Sequence, residues 1–368
     1  MGPLKGFRII EIAGIGPSQY CGMLLSDMGA EVLRIERPGG GDMGFEIPQQ
    51  FNLMNRGRSS VSIDLKSERG KALVLRLCEK ADALFEGFRP GVMERLGLGP
   101  ADCMTRNPKL VYGRMTGWGQ DGPLAKRAGH DANFVALSGI MNVIGEKGSG
   151  PLYPPMLAGD LAGGGAYLAM GILATLLETS RSGKGQVIDA AIIDGALSML
   201  APFYGMMAAG MWREKGCNLL DGEAPFVGAY GTRDGKHIFV SPLEPKFFRN
   251  MLELLEIDDI DVARQYDPDY WPVIRKRLEE VFLSRTRDDW AGILEGADAC
   301  CTPVLGPGET ASHQHIRARG IMVDVDGVTQ PAPAPRFSRT ESVISHGPGG
   351  SKPAREVLKS WGLDEQDV

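Results

Sequence analysis

Short apolar runs and helically spaced apolar positions take turns along the first third of the chain. Residues 7–12 (FRIIEI) form an isoleucine-rich run of strand length. A Gly/Pro turn, GIGPS, follows. Over residues 19–28, Tyr20, Met23, Leu24 and Met28 fall near one face of a helix. Residues 31–35 (EVLRI) make a second strand. Strand, helix and strand in this order predict a parallel unit with a right-handed crossover. The theme recurs: strand 60–64, helix 67–80, strand 83–85, helix 91–96, strand 110–114. The chain to about residue 120 therefore reads as an open, mostly parallel sheet covered by helices.

The pattern then changes. Residues 162–180 (AGGGAYLAMGILATLLETS) read as a helix despite Gly163–Gly165, which are poor helix formers. Such a run marks a close approach to the backbone. A strand at 185–193 and a helix at 194–207 follow. Residues 229–232 and 237–240, joined by Arg233-Asp234-Gly235-Lys236, predict a hairpin. Helical segments run to about 298, then a strand at 301–305 and a second hairpin at 322–328 around Asp326-Gly327. These elements predict an α/β protein. A large Rossmann-like domain covers 1–200, a linker 201–224, a smaller α+β domain 225–325, and a return segment 326–368 carries a C-terminal helix back to the first domain.

Composition narrows the function. With 43% hydrophobic and 23% charged residues the chain can build an ordinary globular core. Its net charge of −6 argues against general nucleic-acid binding but leaves room for a local basic pocket. Six cysteines without a C-x-x-C pair read as reduced thiols of a cytoplasmic protein. No signal peptide and no apolar stretch of about 20 residues is seen, so no membrane span is expected. His313 and His315 resemble a metal pair but lack a third ligand nearby, so they read as helix surface and no metal is expected.

Four features carry candidate chemistry. GIGPSQ (14–19) with Glu36 comes close to a dinucleotide fingerprint, but Gln19 replaces the third glycine and Pro17 removes a backbone donor. Arg34, Arg37, Arg56, Arg58, Lys66, Arg89 and Arg114 cluster around the ends of successive strands, where open α/β sheets bind ligands. As a set they suit a phosphorylated ligand; singly, each also reads as surface charge. His130, before Asp131 and an apolar run, is either a satisfied ring at a loop-to-helix junction or a working base. Asp160, between apolar residues and glycines, is either the N-cap of a helix starting near Leu161 or a reactive carboxylate in a narrow pocket. Glu244, isolated in SPLEPKFF, reads on position as a turn acid. Residues 199–211 (MLAPFYGMMAAGM) fit either a pliable apolar surface or plain core packing.

Segments spanning nearly the whole chain resemble the class III CoA-transferase superfamily, and within it the alpha-methylacyl-CoA racemase branch. They include LSDMGAEVLRIERPGGGD (25–42), NRGRSSVSIDLK (55–66), EGFRPGVMERLGLGP (86–100), GWGQDGP (117–123), GHDANFVALSG (129–139), GDLAGGGAYLAMGILATLLE (159–178) and QPAPAPRFSRT (330–340). The resemblance implies two chains interlocked like rings, a CoA thioester as substrate, and neither metal nor organic cofactor. It matches Asp160 to an aspartate that forms a mixed anhydride in the transferases and moves the α-proton of a 2-methylacyl thioester in the racemases. It matches His130 to the racemase's base on the opposite face and Glu244 to the acid that orients it. Arg37, Arg56, Arg58, Lys66, Arg89 and Arg114 are then the CoA-binding set. Inversion by proton exchange needs one base on each face and donors at the thioester oxygen, and the turn Gly159-Asp160-Leu161 is the expected source of one donor. No run of glycines stands near 225–245, where transferases often carry a glycine-rich loop, and this favours the racemase. Two positions depart from the racemase pattern: Met156 stands where Asn is usual, and Val227 where Tyr is usual. The expected activity is racemisation of 2-methylacyl-CoA thioesters. The alternatives are CoA transfer through an aspartyl anhydride at Asp160, and a CoA-thioester binder without catalysis.

Overall fold

The computed structural model describes residues 2–40, 47–350 and 352–363. Chain contacts divide it into two compact units. The first comprises Met1–Ile140, Tyr153–Ala201 and His315–Val368. In chain order its first elements are β1 (Arg8–Ile12), α1 (Pro17–Asp27), β2 (Glu31–Glu36), β3 (Ser59–Ser62), α2 (Glu68–Cys78) and β4 (Ala83–Glu86). Next come α3 (Val92–Arg95), α4 (Pro100–Arg106), β5 (Val111–Thr116) and α5 (Asp131–Ser138). After Tyr153 follow a wide helical segment (Leu157–Ala166), α6 (Tyr167–Ser182), β6 (Val187–Ala191) and α7 (Ile192–Met199).

The six strands form one parallel sheet in the order β3-β2-β1-β4-β5-β6. The order reverses between β1 and β4, the crevice where doubly wound sheets bind ligands. Neighbouring residues point to opposite faces. Ile10, Leu33, Leu84 and Tyr112 therefore join one core, and Ile9, Val32, Phe85 and Val111 the other. Burial on both faces explains why these strands read as continuous apolar runs. The first core is completed from the far end of the chain, by Val357, Leu358 and Trp361 of the last helix (Ala354–Ser360).

The second unit comprises Met141–Leu152 and Pro202–Gln314. After α8 (Ala201–Ala208) come β7 (Gly228–Gly231), β8 (His237–Val240), α9 (Pro245–Leu254), α10 (Trp271–Phe282), α11 (Arg287–Leu294) and β9 (Cys301–Pro303). The strands form an antiparallel sheet in the order β7-β8-β9. Phe226, Tyr230, Ile238, Phe248, Ile274, Phe282 and Trp290 fill its core.

Several boundaries differ from the sequence reading. Residues 141–152 belong to the second unit, where Lys215 Nζ donates to the Gly150 carbonyl at 2.6 Å. The segment read as a linker contains α8 and a turn in which Asp221 accepts from the N–H groups of Gly216 and Asn218. The second hairpin, β10 (Met322–Val325) and β11 (Val328–Pro331), lies in the first unit, with α12 (Gln314–Ala318) before it and the Ala354–Ser360 helix as α13. It is tied there by Arg56, which donates to Gln330 Oε1 and the Pro331 carbonyl. Leu157–Ser182 is, contrary to expectation, long and apolar enough to cross a membrane, with a mean hydropathy of 1.4. Leu168, Ala169, Ile172 and Leu176 of this segment are core residues of the first unit.

Candidate active site

Asp160 does not cap a helix; it lies inside one. The segment Leu157–Ala166 is a π-helix, in which the Leu161 N–H donates to the Met156 carbonyl five residues back, at 2.9 Å. Such turns recur at functional sites because they displace a side chain from the regular α-helical track. The glycine run allows the wide turn to pack tightly. A Cβ at Gly163 would meet the Ala196 backbone of α7, and one at Gly165 the Pro17 carbonyl of α1. The close approach foreseen from these glycines is thus made by neighbouring helices.

The loop before α1 runs against the Asp160 carboxylate. Gly16, with φ +56°, is the residue before the helix, and a Cβ there would overlap Asp160 Oδ2. The near-fingerprint GIGPSQ therefore serves as a floor beside this carboxylate. Burial, and secondly the nearby Asp131 charge, push the Asp160 carboxyl up from its ordinary 3.8 to about 7. It is thus divided between acid and base near neutral pH, the condition for moving protons in both directions.

His130 precedes α5 with extended backbone, and its side chain is exposed. The Asn133 amide oxygen accepts from the His130 N–H at 3.0 Å, and the Asn133 N–H returns a bond to the His130 carbonyl at 2.8 Å. The next residue, Asp131, is buried and accepts from the Asp160 N–H at 2.6 Å, from the Met156 N–H at 3.1 Å and from the Tyr153 hydroxyl at 2.7 Å. The starts of α5 and of the π-helix are in this way pinned together, and His130 and Asp160 with them. The donors expected from Asp160 and Leu161 are not free, because Asp131 and the Met156 carbonyl take them. At the start of α5 the Asn133 N–H bonds to the His130 carbonyl, while the Asp131 and Ala132 N–H groups, like those of any helix start, have no partner four residues back within the helix. Met156 holds φ +60°, a region that suits Asn far better than Met.

Glu244 lies in the second unit, exposed, at the N-cap of α9, where its carbonyl accepts from Phe248 N–H at 3.0 Å. Met207 and Met211 are exposed and Met199 and Met206 half-buried, so core packing does not explain the first two.

The six cationic residues fall into three groups. Arg37, Lys66 and Arg89 are exposed on the loops that follow β2, β3 and β4. Arg114, on β5, reaches Glu86 Oε1 at 3.5 Å and Glu94 Oε1 at 2.9 Å. Glu86 is buried, and burial pushes its carboxyl up to about 7 against the pull of Arg114. Arg56 and Arg58 contradict the expectation of phosphate ligands. Arg56 is bound bidentately by Asp27, at 2.6 and 3.2 Å, and both side chains are 3% exposed. Arg58 shares the buried Glu11 with Arg34 and also donates to the Met54 carbonyl. Guanidinium groups enclosed with their own carboxylates hold the framework and present no face to a ligand. Sequence reasoning passed over Asp131, Tyr153 and Gly16; the signal for Asp131 was its place directly after His130.

The six-stranded parallel sheet thus carries a half-buried aspartate, Asp160, close to the start of α5, and exposed cations on three strand-end loops. The chain belongs to CoA-transferase family III, whose model matches residues 4–350. It is 40% identical to mouse (Mus musculus) alpha-methylacyl-CoA racemase over 370 residues, covering 99% of this chain and 95% of that protein. It is 37% identical to the human (Homo sapiens) alpha-methylacyl-CoA racemase over 369 residues, covering 99% and 95%. The crystal structure of a CaiB/BaiF family protein from Brucella suis superposes with a TM-score of 0.81 at 26% identity, covering 98% of this chain and 99% of that one.

Proposed function

We propose that this protein is a racemase or epimerase of 2-methylacyl-CoA thioesters, working by proton exchange between two bases. The observation that carries the proposal is Asp160: a carboxyl held at about 7 whose backbone N–H is bonded by Asp131, the residue next to His130. In one direction Asp160 takes the α-proton and His130 returns a proton to the opposite face. In the other direction the roles exchange. Between the two transfers the electron pair rests on the thioester oxygen, where the unpaired N–H groups at the start of α5 supply donors. By the resemblance, Glu244 is the acid that orients the catalytic histidine. Arg37, Lys66 and Arg89 hold the CoA phosphates, and no further cofactor or metal takes part. The working form is a cytoplasmic homodimer of interlocked chains.

CoA transfer through an aspartyl anhydride is the second reading, favoured by Met156 in place of the racemase's usual Asn. It uses Asp160 as a nucleophile, and a carboxyl half-protonated at neutral pH serves poorly in that role. The test is incubation of one enantiomer of a 2-methylacyl-CoA in D₂O without any free acid. Deuterium entering the α-position with loss of optical purity is expected. No exchange, with CoA moving to an added carboxylic acid, would replace racemisation by transfer.

A further inference from the structure

We propose that Asp131 is a positioning residue for this reaction: its single carboxylate clamps the start of the π-helix to the start of α5 and so fixes Asp160 against His130. The inference rests on the reading of His130 and Asp160 as the two bases. Asp131 is the first residue of α5, where the helix dipole favours a negative charge. Its two oxygens collect three donors, the N–H groups of Asp160 and Met156 and the hydroxyl of Tyr153. Two of those donors belong to backbone at the entrance of the π-helix, so the clamp acts on the path of the chain and not merely on a side chain. The approach is close enough that a Cβ at Gly159 would overlap Asp131 Oδ1. Tyr153 completes the set, and burial together with the bond to Asp131 raises its phenol, which keeps it a donor.

The same carboxylate acts on Asp160 through its charge. The elements packed against the π-helix bring Tyr20 of α1, Arg114 of β5, Tyr167 of α6, Asp189 of β6 and Asp194 of α7, besides His130 and Asp131 at α5. The charge that raises Asp160, after burial itself, is that of Asp131. The carboxylate of Asp131 thus acts on the position of the base through its backbone and, after burial, on its protonation.

The test reads the carboxyl of Asp160 directly, by carbon-13 NMR titration of the full-length protein labelled at aspartate carboxyl carbons, with D160N assigning the signal. In D131N the midpoint is expected to move to lower pH, because a negative neighbour has been removed. In Y153F it is expected to move to higher pH, because Asp131 has lost the proton donor that masks its charge. An unmoved midpoint in folded D131N overturns the proposal. Should D131N fail to fold, Y153F decides: an upward shift supports the charge coupling and an unmoved midpoint refutes it. The kinetic counterpart in D131N is a fall in kcat of about 10²-fold with KM changed less, as for a misplaced reacting group. The limbs of the pH–rate profile should move down with the carboxyl signal, which a merely structural loss would not cause. Wild-type protein without α-proton exchange but with these shifts would sink the racemase reading and leave the clamp standing. Exchange with unmoved shifts would do the reverse.

Discussion

Replacing Asp160 by asparagine is expected to stabilise the protein, and increasingly so as pH rises. The carboxyl is held at about 7 in the folded chain against an ordinary 3.8. A carboxyl whose folded value is raised costs stability once it ionises: its contribution is intact below 3.8, falls as pH rises toward 7, and is flat above. Each pH unit of displacement is worth about 1.4 kcal/mol, so the full cost above pH 7 is at most about 4 kcal/mol. Between pH 5 and pH 8 the cost grows by about 2.6 kcal/mol before any allowance for water reaching the group, and by about 2 kcal/mol after it. Asparagine keeps the shape and cannot ionise, so the D160N-minus-wild-type difference isolates this one group from every other carboxylate. For 368 residues an unfolding entropy of about 0.8 kcal/mol/K converts this into roughly 2–3 °C. The assay is a pair of thermal melts at pH 5, 6, 7 and 8. A D160N advantage that widens with pH in this manner supports a raised carboxyl. A difference constant from pH 5 to pH 8 would make Asp160 an ordinary carboxylate and remove the basis for its double role as acid and base.

Three further outcomes are expected. His130→Ala should lower racemisation at least about 10²-fold without affecting the fold, as loss of a general acid–base group does; full retained activity, measured by optical rotation of the product, would show the ring to be structural. Gly16→Ala should lose activity through kcat and cost about 1–2 kcal/mol, because a Cβ would overlap Asp160 Oδ2 and φ is +56°; unchanged turnover and melting would contradict the described loop. Arg56→Met should destabilise by about 3–5 kcal/mol, since it strands the buried Asp27, and should leave the KM for acyl-CoA in the surviving folded fraction near the wild-type value; a raised KM without lost stability would restore Arg56 to the ligand-binding set.

Much of this protein was legible in local pattern. The short apolar runs of β1, β2, β4 and β5 announced a parallel sheet covered by helices, and turn residues marked the hairpin β7–β8. His130, Asp160 and Glu244 stood out as isolated titratable groups, and the resemblance of their surrounding motifs pointed to their chemistry. What local pattern could not carry was partnership. Arg56 and Arg58 look in sequence like Arg37 and Arg89, yet the fold encloses the first two with Asp27 and Glu11 and leaves the others exposed. Burial of a charge depends on which distant carboxylate meets it, and no spacing in the chain states that. Likewise the π-helix at Asp160 has no periodicity of its own; it forms because α1 and α7 press on Gly163–Gly165 and Asp131 captures its first N–H groups. The chain by itself determined the sheet, the helices and the residues able to do acid–base work. Only the tertiary structure decided which charges are ligands and which are framework, and raised one aspartate to near neutrality, because desolvation and the field of a neighbouring charge exist only once the chain has closed around them.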